Sequence, residues 1–102
     1  MNLEKYFSLA GQVALVAGAS RGIGRAIAEA LGDAGAEVIV ASRSLDKLEG
    51  IASGMRERGA QASALALDVA DPASISSAVD RVLGGHGRVD ILVNVEIGRA
   101  HV

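Results

Sequence analysis

A chain of 102 residues holds one small domain with a modest hydrophobic core. Half of its residues are hydrophobic (50%), which excludes a disordered chain, and Tyr6 and Phe7 are its only aromatics. A net charge of −2 with scattered arginines leaves no electrostatic footprint for nucleic acid or an anionic membrane. The absence of cysteine excludes disulfides and thiolate metal sites.

The opening MNLEKYF carries Glu4 and lacks an apolar core, so it does not read as a signal peptide. No apolar run reaches bilayer length, and the expected location is cytoplasmic. Val13–Ala17, VALVA, is a short continuous apolar run, as in a strand buried on both faces. Residues 17–24, AGASRGIG, follow it, with Gly18, Gly22 and Gly24 in the spacing G-x-x-x-G-x-G. Ile23, Ala26, Ile27, Ala30, Leu31 and Ala34 then recur at helical spacing, and Gly35 closes that helix.

Val38–Ala41 is the next buried strand. Ser44 is placed to cap a second helix with the stripe Leu45, Leu48, Ile51, Ala52 and Met55, ended by Gly59. Ala62–Leu67 reads as a third strand, diluted by Ala and Ser. Asp71 before Pro72 is an N-cap with proline at the first helical position. Ile75, Ala78, Val79 and Val82 form a third helical stripe, which Gly84-Gly85 is expected to stop. Val89–Val93 is a fourth strand, with Asp90 at its entry read as a turn or capping carboxylate. His86 and His101 have no partner at metal or triad spacing and read as surface residues.

Strict alternation of strand and helix predicts an α/β fold: a Rossmann-like parallel sheet flanked by helices, with right-handed crossovers. The expected strand order is 3-2-1-4, which makes Val13–Ala17 and Val89–Val93 neighbours at the switch point. The first helix begins inside the glycine motif, so its free amides and positive dipole end face the loop. Glycine removes the β-carbons that would block a phosphate there, and the loop reads as a nucleotide diphosphate site. The bland alternative is a turn that only lets helix and strand pack closely. No Gly-Lys-Ser/Thr ending is present, which excludes a P-loop.

With these residues in place the chain resembles the short-chain dehydrogenases/reductases. VALVAGASRGIGRAIA is similar to the family's cofactor motif T-G-x-x-x-G-I-G, with Ala17 in place of threonine. DVAD, Asp68–Asp71, is similar to its adenine-contacting segment. GRVDILVN, Gly87–Asn94, matches the run into its N-N-A-G motif, which breaks off after Asn94. The resemblance implies that Gly18, Ser20, Arg21, Gly22, Ile23 and Gly24 hold the cofactor's phosphates. It further implies that Asp68 and Val69 clamp the adenine and that Asn94 bounds the pocket. A turn cap stands as an equal alternative for Asp68 when the residues are read without the resemblance, and bracing the sheet is the other role of Asn94.

An NAD site wants an acid at the end of the second strand for the ribose 2′-hydroxyl. Here Ser42 stands in that place and Arg43 follows. An arginine fork pairs with a 2′-phosphate where an acid would repel it, and Arg21 reaches toward the same phosphate from the loop. NADP is therefore expected over NAD.

The family's chemistry uses a serine with a Y-x-x-x-K pair, and the chain's one tyrosine, Tyr6, has no lysine four residues later. The expectation is the N-terminal fragment of an NADP-dependent oxidoreductase, carbonyl to hydroxyl and back in the parent, with the fragment inactive. No catalytic residue is assigned. The alternative is a non-catalytic NADP-binding module or sensor. The resemblance implies a homo-oligomeric parent, whose usual interface helices are not in this sequence. Residues 1–95 read as the nucleotide-binding half-domain. The ending EIGRAHV, Glu96–Val102, back-translates to a stretch similar to a short-read sequencing adapter and is expected to be a non-native tail.

Overall fold

The structure, a computed structural model, describes residues 8–20 and 22–95. The expected tail at 96–102 and the expected phosphate contact Arg21 lie outside the described residues. The elements are β1 (Val13–Ala17), α1 (Gly22–Asp33), β2 (Glu37–Ser42), α2 (Leu45–Glu57), β3 (Gln61–Ala66), α3 (Pro72–His86) and β4 (Ile91–Asn94). The four strands form one parallel sheet in the order β3-β2-β1-β4, as the alternation predicts. Val16 of β1 faces Val40 on one side and Val93 on the other, so β1 is central and every residue of it is buried. That position explains its unbroken apolar run.

Each face of the sheet has its own core. Ala14, Val16, Val38 and Val40 pack with Ala28 of α1 and with Leu48, Ala52 and Met55 of α2. Val13, Leu15, Ala17, Ile39 and Ala41 pack on the other face with Ala78 and Val82 of α3. Small residues set the spacing between α1 and α2. A β-carbon on Gly32 would lie 2.9 Å from the Met55 Cε, so glycine lets the two helices close on each other.

Three boundaries depart from expectation. α3 runs through Gly84 and Gly85 to His86, and Gly87, at φ +78°, ends it by donating its amide to the Leu83 carbonyl. Glycine inside a helix costs only about 1 kcal/mol, whereas a left-handed φ terminates it. Ser44 makes no side-chain cap on α2; its own amide is held by the Ser42 hydroxyl instead. β4 starts at Ile91, because Val89 and Asp90 belong to the approach: Asp90 accepts the Val13 amide through Oδ2 at 2.8 Å and donates its own amide to the Val13 carbonyl at 2.8 Å. The capping role read for Asp90 holds, and so does the Asp71 cap on α3, which accepts from the Ala73 amide at 3.0 Å.

Candidate functional site

All four strands end at the same edge of the sheet, where Ala17, Ser42, Ala66 and Asn94 are the last residues. β1 and β4 lie side by side in the sheet, yet α1 leaves β1 toward β2, so a crevice opens at this edge between β1 and β4. The glycine loop sits over it. Gly18 and Gly22 take φ of +84° and +63°, a region costly for any residue with a β-carbon. The amides of Gly18 and Ala19 both donate to the Ala41 carbonyl, at 2.8 and 3.3 Å. The loop is thereby fastened to the end of β2, and its Ala19 is fully buried.

Gly24 sets the entry of α1. A β-carbon there would overlap the Gly18 carbonyl oxygen and come within 2.7 Å of the Val95 Cγ2. Val95 is fixed in turn by donating its amide to the Ala17 carbonyl at 3.0 Å, one step beyond the β1–β4 ladder. The helix start, the loop and the end of β4 are thus pressed together through one glycine. Gly24 is legible in the motif; its partner Val95 is not.

The first-turn amides of α1 have no partner within the helix, and no acid in that turn offsets the positive dipole end. Ile23, in the same turn, is 74% exposed. Free backbone donors at a helix start that carries no acid, reached through a glycine-rich loop, fit a dinucleotide's phosphates.

At the end of β2, Ser42 is buried and Arg43 is exposed. No carboxylate occupies the position where a ribose acceptor would stand. Past β3, Asp68 uses Oδ1 to accept the Ala70 amide at 3.0 Å, so its turn-capping role is present. Its own amide donates to Ser74 Oγ at 2.9 Å, a contact from α3 that sequence spacing did not suggest. Val69 is half-buried against the α3-side core. Asn94 lies in register with Ala17 at the mouth of the crevice. The described members of the expected set are therefore gathered at one edge of the sheet: Gly18, Ser20, Gly22, Ile23, Gly24, Ser42, Arg43, Asp68, Val69 and Asn94.

His86 is less isolated than expected. Its Nδ1 lies 2.8 Å from Glu37 Oε1, tying the end of α3 to the start of β2. This pair and the shallow groove beside it, lined by Ile39, Ser63, Arg81, Val82 and His86, share no residue with the glycine loop. Among the described residues no cluster of His, Cys, Asp or Glu could hold a metal ion, and no helix is long and apolar enough to cross a membrane.

Residues 12–96 match the family model described as short chain dehydrogenase. The chain belongs to the short-chain dehydrogenases. Among curated relatives, the 3-oxoacyl-(acyl-carrier-protein) reductase FabG of Escherichia coli is 49% identical over 84 residues, which is 82% of this chain and 33% of that protein. The gluconate 5-dehydrogenase of Gluconobacter oxydans is 41% identical over 94 residues, 92% of this chain and 37% of that one. Among solved structures, a hydroxysteroid dehydrogenase from Escherichia coli superposes with a TM-score of 0.86 at 33% identity, covering 91% of this chain and 39% of that chain. A metagenomic short-chain oxidoreductase in complex with NADP gives 0.80 at 43% identity, covering 82% and 38%. This short-chain dehydrogenase chain spans about a third of the length of the curated relatives it matches.

Proposed function

We infer that this chain is the nucleotide-binding half of an NADP-dependent oxidoreductase that interconverts a carbonyl and a hydroxyl. The observation that carries the reading is the end of β2. A buried Ser42 and an exposed Arg43 stand beside the glycine loop, where an NAD site would present a carboxylate. Gly18, Ser20 and Gly22–Gly24 would hold the diphosphate, Arg43 and Arg21 the 2′-phosphate, Asp68 and Val69 the adenine, and Asn94 the inner wall. The nicotinamide, when bound, would supply the hydride to the carbonyl or accept it from the alcohol. The related metagenomic oxidoreductase, solved with NADP, supports this choice of cofactor. The protein is expected to act in the cytoplasm.

The chain's 102 residues contain no Y-x-x-x-K pair, so turnover by this chain alone is not expected. Calorimetric titration with NADP+ and NAD+ tests the reading, using the chain and its Arg43→Asp variant. The wild type should favour NADP+, and the variant should reverse the preference by losing a phosphate partner and gaining a ribose acceptor. Equal affinities for both cofactors in both proteins would sink it.

A further inference from the structure

Ser42 is the only polar side chain buried among the described residues, at 4% exposed. Its Oγ accepts a hydrogen bond from the Ser44 amide at 3.0 Å. That bond closes a ring containing the whole backbone of Arg43, so the hydroxyl fixes the direction in which the Arg43 side chain leaves the chain. Ser42 is itself anchored. It pairs with Ala66 in the β2–β3 ladder, and its carbonyl accepts the Leu67 amide at 2.9 Å. The preceding residue, Ala41, carries the carbonyl that holds the glycine loop. Arg43 is exposed and pairs with no described residue, so its backbone alone sets where its guanidinium starts from.

We propose that Ser42 is a positioning residue for cofactor choice: its hydroxyl holds the Arg43 backbone so that the guanidinium is aimed at the 2′-phosphate. The proposal rests on the reading of Arg43 as the phosphate partner. A long, unpartnered side chain loses freedom when it captures a ligand, and fixing its backbone beforehand removes part of that cost. NAD+ has no 2′-phosphate, so its binding draws no benefit from the same turn. The serine thus has two separable properties: it is not an acid, and it builds the turn that makes the arginine effective.

The test is a double-mutant cycle on the 102-residue chain, read as dissociation constants for NADP+ and NAD+. Ser42→Ala should weaken NADP+ by about threefold to tenfold, the loss of one hydrogen bond, and leave NAD+ within about twofold. Ser42→Thr, which keeps the hydroxyl, should restore NADP+ binding. In an Arg43→Ala background, Ser42→Ala should cost nothing further. A loss of the same size with and without Arg43 overturns the proposal, because the hydroxyl would then act on the ligand directly. An equal loss for both cofactors overturns it as well, since the role would be merely structural. Should Ser42→Ala fail to fold, hydrogen exchange at the Ser44 amide decides: protection in wild type and Ser42→Thr supports the turn, and an unprotected amide overturns it. Arg43→Ala without effect on NADP+ contradicts the underlying phosphate reading, and the proposal falls with it.

Discussion

Gly24 rests on Gly18: a β-carbon added to Gly24 would overlap the Gly18 carbonyl oxygen, which is backbone and cannot swing aside. The contact places the first turn of α1 directly against the loop that leaves β1. Gly24→Ala should therefore force the helix start away from the strand. We expect a loss of about 1–3 kcal/mol in denaturant unfolding, as for other overpacked sites, together with loss of nucleotide binding. An alanine variant with unchanged stability and affinity would contradict the packing described.

A helical glycine with open space around it should behave in the opposite way. Gly50 lies inside α2 with nothing within 4 Å of where a β-carbon would sit, and it has no left-handed φ. Gly50→Ala should raise stability by about 0.5–1 kcal/mol through helix propensity and a less flexible unfolded chain. Paired melting curves of Gly24→Ala and Gly50→Ala check both at once, and equal shifts in the two would be inconsistent with the contrast.

Asp90 is expected to contribute to the acid limb of stability. Its pKa is held below the ordinary aspartate value, first by the hydrogen bond from Arg88 and then by the Val13 amide it accepts. A carboxyl depressed on folding stabilises the fold above its unfolded pKa, and that contribution is lost as pH falls through the lowered folded value. Asp90→Asn should flatten this part of the profile, seen as urea midpoints measured from about pH 6 down to about pH 3. A variant with the same acid sensitivity as wild type would assign that limb to other carboxylates.

Among the described residues β4 is an edge strand with β1 as its only partner, and Leu92 is 67% exposed on it. An open edge with an exposed leucine is a template for association between copies. Leu92→Lys should cost less than about 0.5 kcal/mol, because little buried area is lost, while lowering the aggregated fraction in light scattering. A large destabilisation would mean that the side chain is covered in solution.

Much of the fold is legible in the sequence because β1 and β2 are buried on both faces and therefore read as unbroken apolar runs. The glycine motif, the Asp71-Pro72 cap and Asp90 are equally local, and each sits where its chemistry puts it. The third helix is legible only in part. Its stripe reads as one face, yet Ala78 and Val82 are buried while Ile75 and Val79 remain 41% and 38% exposed. Pairings across the fold are what local patterns hide. The Glu37–His86 contact joins residues 49 apart, and the Val95–Gly24 contact depends on β4 lying beside β1. Ser44 shows a subtler limit: a serine before a helix looks like a cap, but here the Ser42 hydroxyl takes its amide.

If the glycine loop and the end of β2 form one nucleotide site, amide chemical-shift mapping of the isotope-labelled chain with NADP+ should show it directly. The largest shifts are expected at Gly18, Ser20, Gly22–Gly24 and Ser42–Ser44, with Asp68 and Val69 following, and little change at Arg81 or His86. Shifts centred on the Arg81–His86 groove, or none at saturating NADP+, would contradict a single site at that edge of the sheet.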